Sequence, residues 1–356
     1  MDFSGLVARF PINRQLSATE AAFNLKQKKR LNVEPHYQLS VIKMNSTFLE
    51  TVDKWYGWKG VVSTISFFIL LILSSTLGLI AFEWLLEGIG MLPSEVDSGV
   101  LLANGFGMGM VFVLLSWAVL WLFCKESFAY THYPMRFDRK ARIVHVFRTD
   151  GTILSVPWEK VYFTVVNVAQ WNDWEVRGHI LDADKTTVRE TFALSYGGSL
   201  PSAETDPQAS VFSSKDFVRA HWEFVRRYME DGPQEVLNQV QFCMPVDRRK
   251  ERFRVGAERV FANFAGAPLL LYCLTFPFCA VVSIFRWLAM MTSKVPHWPD
   301  DIEASTKVEI NDPYAIEATS TGERVAVFPE AALAAGVRFH GQSPNSAAVI
   351  EAADGT

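Results

Sequence analysis

Two long apolar runs dominate the pattern of hydrophobic and polar positions along this chain. Residues 61–82 and residues 100–124 contain no Asp, Glu, Lys or Arg. Each run can cross a bilayer as an α-helix, because a hydrocarbon core about 30 Å thick needs about 20 apolar residues. The pattern therefore predicts a two-span transmembrane hairpin over residues 60–124, after a polar lead-in over residues 1–59.

The distribution of charge predicts how this hairpin is oriented. The lead-in carries nine Lys and Arg residues, and the chain becomes basic again after residue 124. The loop 83–99 has no Lys or Arg but four acidic residues. Because Lys and Arg are retained on the cytoplasmic side, we expect the lead-in and residues 125–247 to be cytoplasmic. This orientation is that of a multi-pass membrane protein, whose first partner is the lipid bilayer.

Small residues and aromatic residues mark the two spans. Small residues recur within the spans, which permits close helix packing in lipid; they are Ser74, Gly78, Ala103, Gly105, Gly107 and Gly109. Packing of the two spans against each other is the simpler interpretation, and dimerisation is the alternative; the oligomeric state stays open. Aromatic residues near the ends of the apolar segments are typical membrane-interface anchors, and those predicted here are Trp55, Tyr56, Trp58, Trp287 and Trp298.

The pattern changes to that of β-strands after the second span. Residues 142–148 and 153–156 flank a turn that contains Gly151 and predict a hairpin. Pro157 either places the second of these strands at a sheet edge or ends it. Residues 161–168, 174–182 and 187–195 continue as antiparallel strands, and residues 196–212 read as a loop. A short strand over residues 38–42 is also predicted.

An amphipathic helix follows the strands. Ser213 is a candidate N-cap, one apolar face runs through residues 214–230, and the sequence Asp-Gly-Pro at residues 231–233 ends the helix. A small antiparallel sheet closed by a C-terminal helix resembles, in layout, the pleckstrin-homology-like domains of bacterial membrane proteins. The predicted class is therefore α+β: a two-span helical hairpin, a β-domain of this type over residues 125–247, and a third membrane-associated segment.

The third apolar segment, residues 261–285, allows two interpretations. Pro268 and Pro277 interrupt it, and basic residues flank both ends, so the charge rule does not orient it. A re-entrant or interfacial helix pair is favoured over a kinked third span. Together with its basic flank this region covers residues 248–298, and residues 299–356 form an acidic tail that is expected to be largely disordered.

The basic flank is a candidate contact for anionic lipid headgroups or for a protein partner. It consists of Arg248, Arg249, Lys250, Arg252 and Arg254. Each such charge contributes about 1 kcal/mol near an anionic leaflet. Retention of the flank in the cytoplasm by the ordinary charge bias is the simpler explanation.

Motifs for catalysis or cofactor binding are weak. Asp182 and Asp184 match a phosphatase nucleophile pattern, but both flanks alternate with a period of two and predict a hairpin turn, where Asp is common. The seven His and four Cys residues have no metal-ligand spacing. We therefore predict no enzyme activity, no catalytic, metal or cofactor-binding residues, and no nucleic-acid partner.

Three stretches carry a family resemblance. They are Leu25-Lys26-Gln27 with Asn45-Ser46-Thr47, the block KESFAYTHYP at residues 125–134, and RTDGT at residues 148–152 with VPW at residues 156–158. Up to about residue 315 the chain resembles uncharacterised proteobacterial inner-membrane proteins that are often encoded beside type VI secretion spike and toxin genes. The resemblance implies an immunity or accessory factor that binds a toxin or secretion component. A scaffold or anionic-lipid-binding module unrelated to toxins is the alternative.

Overall fold

A computed structural model describes residues 4–168, 173–195, 214–240, 242–263 and 269–321 of the chain. The fold is α+β, with two antiparallel sheets and three long apolar helices. The strands are β1 Arg14–Gln15, β2 Asn24–Leu25, β3 Val41–Met44, β4 Phe48–Thr51, β5 Met135–Asp138, β6 Ile143–Phe147, β7 Ile153–Pro157, β8 Val161–Val168, β9 Asp173–Leu181, β10 Thr187–Ala193 and β11 Ile316–Glu317. One sheet has the order β1-β10-β9-β8-β2 and the other β11-β3-β4-β5-β6-β7.

The helices include both the apolar segments and shorter elements of the sheet domain. They are α1 Ala18–Ala22, α2 Val61–Leu73, α3 Leu79–Gly88, α4 Ser98–Glu126, α5 Ser214–Glu230, α6 Phe253–Ala262, α7 Leu269–Thr292, α8 Asp300–Ser305 and α9 Ala318–Thr321. A π-helical turn, Ser74–Gly78, joins α2 to α3 in one continuous helical segment. A 3₁₀ turn, Tyr56–Trp58, precedes α2.

The main hydrophobic core lies where α5 packs against the sheets. Trp222 of α5 stacks on Trp158 with ring centroids 5.6 Å apart, and its ring lies 4.5 Å from that of Phe163. All three side chains are fully buried. The helix expected over residues 214–230 is present, and its apolar face forms this contact.

Several local predictions are confirmed strand by strand. Residues of β6 and β7 pair as a hairpin, from Phe147 with Ile153 to Ile143 with Pro157. Strand β7 forms the edge of its sheet, as Pro157 requires, because proline lacks the N–H that a central strand must donate. The turn that contains Asp182 and Asp184 connects β9 to β10.

The lead-in differs from its predicted role as a separate segment. It contributes β1 and β2 to one sheet and the hairpin β3–β4 to the other, where Phe48 pairs with Asp138 and Thr51 with Met135. The short strand predicted at residues 38–42 begins at Val41. The sheet domain is therefore built from chain on both sides of the long apolar helices, because strand pairing is not limited to neighbours in sequence.

The first part of the predicted disordered tail is ordered in the structure. Residues 300–321 form α8, β11 and α9, and Ile316 of β11 pairs with Met44 of β3. The carboxylate of Asp312 accepts a 2.7 Å hydrogen bond from the backbone of Ser46. The predicted loop 196–212 and the rest of the tail, from residue 322, lie outside the described residues.

Three helical segments are long and apolar enough to cross a membrane: Tyr56–Gly88, Ser98–Glu126 and Cys273–Thr292. Their apolar side chains are largely exposed, as Leu79 at 60% and Leu274 at 69% illustrate. These surfaces are compatible with membrane association, since soluble proteins rarely expose such extensive apolar patches.

Residues 269–285 of the third apolar segment lie in one helix, α7, rather than in a pair of helices, and α6, which comes mostly from the basic flank, packs beside it. Gly256 approaches Arg286, while the ring of Phe261 lies 5.3 Å from that of Phe276, so the two helices run antiparallel. Pro277 lies inside α7 without ending it.

Candidate functional site

The long apolar helices meet the sheets at a cluster of buried polar side chains, which we call the helix–sheet junction: Tyr56, Lys59, Glu126, Glu251 and Arg286. Glu126, the last residue of α4, caps the first turn of α2. Its carboxylate accepts hydrogen bonds from the backbone N–H groups of Gly60 at 2.9 Å and Ser63 at 2.7 Å. The first N–H groups of a helix have no partner within the helix and favour a negative charge. Glu126 therefore fastens α4 to α2.

Lys59, which directly precedes Gly60 at the start of α2, binds the end of α4 and the chain that follows it. Its ammonium group donates to the carbonyl oxygens of Glu126 at 3.0 Å and Tyr130 at 2.8 Å, and the residue is 6% exposed. The chain after α4 is thereby held beside the start of α2. A few residues further on, Thr131 donates its N–H to the carbonyl of Lys294, just after α7. The ends of all three apolar segments therefore lie together.

Arg286 of α7 forms the second half of the junction. Its guanidinium donates two hydrogen bonds to the carboxylate of Glu251, both 2.7 Å long, and one of 2.6 Å to the carbonyl of Tyr56. It also lies 4.7 Å from the centre of the Tyr56 ring, and the Tyr56 hydroxyl donates to Glu251. Arg286 is 0% exposed. A buried pair of this kind keeps its charges only with such complete hydrogen bonding.

Three glycines allow the chain segments in and around the junction to lie very close to one another. A Cβ atom on Gly60, whose φ is +100°, would lie 2.6 Å from the backbone N of Arg286. One on Gly57 would lie 2.6 Å from the guanidinium of Arg259, and one on Gly256 would overlap the Glu251 carboxylate. The backbone therefore approaches the backbone of Arg286 at Gly60, and charged side chains at Gly57 and Gly256, at distances that only glycine allows.

The predicted aromatic anchors are placed differently from one another. Trp287 is 41% exposed on α7, as expected for an anchor, whereas Tyr56 is buried in the junction. Trp55 packs edge-on against Tyr133, and Trp298 lies 6.1 Å from Phe147 and 4.9 Å from the guanidinium of Arg136.

Trp58 completes this set, packing beside Val61 and Val260. The side chains of Trp55, Tyr56 and Trp298 therefore pack against other residues of the protein, which differs from the predicted role as membrane-interface anchors. Other exposed aromatic side chains include Trp121, Phe128 and Phe253.

The predicted small residues fall into two groups. Gly78, Gly105 and Gly109 face the neighbouring helix; a Cβ on Gly105 would lie 2.9 Å from Leu85 Cγ, and one on Gly78 would lie 3.3 Å from the Phe112 ring. Ser74, Ala103 and Gly107 are exposed. A Cβ on Gly107 would meet no atom of the described residues within 4 Å.

The basic flank is divided as well. Arg248 pairs with Glu303 at 3.2 Å, Arg249 donates to the carbonyl of Pro245, and Lys250 donates to the carbonyl of Met291. Arg252 and Arg254 lie exposed at the start of α6, beside the exposed Phe253. Arg248, Arg252 and Arg254 are therefore the exposed part of this predicted contact, and Arg254 pairs with Glu258 at 2.8 Å.

Asp182 and Asp184 are occupied by their own turn. Both oxygens of Asp184 accept hydrogen bonds from Thr187, and Asp182 pairs with Arg189. The hydroxyl and the N–H groups that bind Asp184 lower the pKa of its carboxyl group. In the part of the chain that the structure describes, no group of three His, Cys, Asp or Glu side chains is placed to hold a metal ion.

A cleft of about 270 Å³ opens between the two sheets. Its walls come from β10, the ends of β5 and β6, and the N-terminal segment before β1. Apolar side chains form much of the lining, and charged side chains lie along it; the residues used below are Arg9, Phe10, Met135, Arg148, Glu190 and Phe192.

Sequence reasoning missed the junction and the cleft. One signal for the junction was present: Arg286 is a charged residue within an otherwise apolar helix, and such residues are costly in a membrane unless paired. Nothing local in the sequence links Arg286 to Glu251 or Glu126 to Gly60. The cleft depends on strands that are far apart in sequence.

The fold and the junction define the class: an α+β protein with two antiparallel sheets and three apolar helical segments, whose ends are joined by a buried ion pair and by buried hydrogen bonds. The chain belongs to a family of unknown function, DUF6708, whose model matches residues 112–309. The matched region contains β5 to β10 and both partners of the Glu251–Arg286 pair. No curated protein and no solved structure matches the chain.

Proposed function

We propose that this protein is a non-catalytic inner-membrane protein of a type VI secretion locus, acting by binding as an immunity or accessory factor. The observation that supports a membrane-bound binding role is the helix–sheet junction. Fully buried Arg286 and Glu251 attach the sheet domain to the apolar helices, so the sheets are held at a fixed distance from the bilayer. The type VI setting is supported by the sequence resemblance.

We further propose that the sheet domain is pleckstrin-homology-like and cytoplasmic. Support for the fold comes from the antiparallel strands β5 to β10 followed by α5, which packs Trp222 into the core. Support for the orientation comes from the excess of Lys and Arg before α2 and after α4. In this arrangement α2–α3 and α4 form a hairpin that crosses the membrane, and residues 89–97, which connect α3 to α4, are periplasmic.

The segment from α6 to α7 is proposed to be re-entrant. Its first end is held at the junction by Glu251, and its other end continues into residues that pair β11 with β3. Both ends therefore belong to the sheet domain. Helix α6 is about 15 Å long, at 1.5 Å per residue, which is half of a hydrocarbon core.

The immunity role is tested by competition between sister cells. A strain that lacks the gene for this protein is grown in contact with a strain that delivers the neighbouring toxin, and survivors are counted. We expect the deletion strain to be killed and to be rescued by the wild-type gene supplied in trans. Equal survival of the deletion strain and its parent would remove the immunity role.

Binding of anionic lipid is a second candidate function, favoured by the exposed Arg252 and Arg254 beside the exposed Phe253. The full-length protein is purified in detergent, and co-purified phospholipid is identified by mass spectrometry. We expect an Arg252→Glu/Arg254→Glu variant to retain less phosphatidylglycerol than the wild type or the matched variant Lys160→Glu. Equal retention by all three proteins would exclude this role.

A further inference from the structure

One edge of β10 is open. Strand β9 pairs with β10 along its length, but β1 covers the opposite edge only at Thr187 and Val188. The N–H of Leu194 points toward β9 and donates to the carbonyl oxygen of Val176 in that strand. Because successive residues of an antiparallel strand point their backbone groups to alternate sides, Thr191 and Ala193 turn theirs away from β9.

Of these two residues, Ala193 is buried and Thr191 is half-buried. Ala193 is only 7% exposed, and no backbone hydrogen bond on this side joins Thr191 or Ala193 to another residue that the structure describes. Buried N–H groups are rarely left without a partner in folded proteins. The open edge of β10 is therefore suited to receive another backbone.

The cleft between the sheets lies along this edge. Residues from Glu190 to Ala193 form one of its walls, and Met135 and Phe147 belong to the facing wall. Phe10 and Phe192 add apolar surface. An added strand would thus have apolar contacts for its side chains as well as hydrogen bonds for its backbone, the two components of peptide recognition by strand addition.

The charges around the cleft indicate the chemistry of the added strand. Among the charged residues that line the cleft, Glu190 pairs with Arg148 at 3.0 Å. The carboxylate of Asp53 accepts hydrogen bonds from the backbone N–H groups of Trp55 and Tyr133, and that of Asp150 accepts them from the N–H and hydroxyl of Thr152. Arg9 lines the cleft and is exposed, and among the described residues no carboxylate lies within ion-pair distance of it. An acidic side chain in the ligand would give the Arg9 guanidinium an ion-pair partner.

We propose that the β10 edge binds an extended, acidic peptide segment of a partner protein as an additional strand. The proposal deepens, and rests on, the binding function proposed above. Four residues, Glu190 to Ala193, offer about 13 Å of edge at about 3.3 Å per residue, so the recognised core is a tetrapeptide. It carries an apolar side chain toward Phe10 and Phe192 and an acidic one toward Arg9.

The test uses a phage-displayed library of random octapeptides and the full-length protein in detergent. We expect enrichment of peptides that alternate β-branched residues with Asp or Glu. Arg9→Glu should weaken binding of a synthetic enriched peptide about tenfold or more, because it sets like charges against each other. Lys160→Glu, an exposed charge reversal outside the cleft, should leave binding unchanged.

Hydrogen exchange identifies the contact directly. On peptide binding, the amides of Thr191 and Ala193 should become protected. Ala193→Pro removes an N–H that faces the cleft and not β9, so it should abolish binding while the unfolding transition is kept. If Ala193→Pro does not fold, Arg9→Glu and the exchange data decide.

Several outcomes would overturn the proposal: no enriched peptide, equal binding by wild type and Arg9→Glu, or protection that excludes Thr191 and Ala193. A change of oligomeric state in Arg9→Glu would instead indicate a second copy of this chain as the occupant. Cells protected equally by wild type and Arg9→Glu would keep the immunity role while contradicting the cleft. Peptide binding at the cleft without a survival phenotype in the deletion strain would keep the binding site while contradicting the immunity role.

Discussion

At the scale of single residues, the junction depends on a few charged side chains buried together. Burial of an ion is costly, and the cost is offset only when opposite charge and hydrogen bonds are both supplied. Arg286 receives both from Glu251 and Tyr56. Ion pairs on the surface of the same chain contribute much less to stability, because water screens their charges and competes for their hydrogen bonds.

We expect Arg286→Ala to reduce the free energy of unfolding by about 3–5 kcal/mol, because it leaves the Glu251 carboxylate buried without its partner. The measurement is denaturant unfolding of the detergent-solubilised protein. Arg254→Ala is the matched control: it removes an exposed pair with Glu258, and exposed i,i+4 pairs contribute about 0.3–0.5 kcal/mol. Equal losses in the two variants would contradict this account of the junction.

Buried histidines predict how stability depends on pH. Burial lowers the pKa of His179 and of His221 to about 4, and that of His132 to about 3. An unfolded His titrates near pH 6.5. Between these values the unfolded chain binds more protons, so the free energy of unfolding falls as the pH decreases from about 6.5 to about 4.

His221→Phe isolates one of these groups. His221 stacks on Phe224 with ring centroids 6.4 Å apart, so a phenyl ring can replace it. We expect the slope of unfolding free energy against pH in this window to decrease by up to about 1.4 kcal/mol per pH unit. An unchanged slope in His221→Phe would contradict the prediction.

At the scale of elements, the structure assigns the small residues of the spans to different faces. The sequence spacing alone allowed either packing between the spans or dimerisation. Gly105 faces Leu85 across the α3–α4 contact, while Gly107, two residues later, faces outward. A spacing of four residues identifies a common face but not the surface that covers it.

Gly105→Val and Gly107→Val separate these faces. In the first variant even the new Cβ would lie 2.9 Å from Leu85 Cγ, and the methyl groups add to this crowding. We therefore expect the free energy of unfolding to fall by about 1–3 kcal/mol from overpacking. The second places the same groups in open space, and we expect the unfolding transition to be nearly that of the wild type. A reversed order of stability would mean that α3 and α4 do not pack as described.

At the scale of the whole molecule, the sheets contain chain from before, between and after the apolar helices. Strand β4 pairs with β5 although 83 residues separate Thr51 from Met135, and β11 pairs with β3. These pairings link the tail as far as Thr321 to the sheet domain. They also constrain how often the chain can cross a bilayer.

We expect single cysteines at Ile310 and Lys160 to react with a membrane-impermeant maleimide from the same side of the membrane, and a cysteine at Met91 to react from the other. Ile310 is 94% exposed and Met91 71%, so both positions are accessible. Cys124 and Cys273, which are exposed, are first replaced with Ser. Labelling of positions 310 and 160 from opposite sides would exclude a re-entrant α6–α7 segment.

The sequence by itself determined the first two apolar helical segments, the strands β6 to β10 and helix α5, because hydrophobic periodicity acts over a few residues. Only the tertiary structure decided that the lead-in supplies four strands, that Tyr56 and Trp298 are packed against protein, and that an open edge of β10 faces a cleft. These features depend on contacts between residues far apart in the chain. No local pattern of hydrophobic and polar positions encodes them.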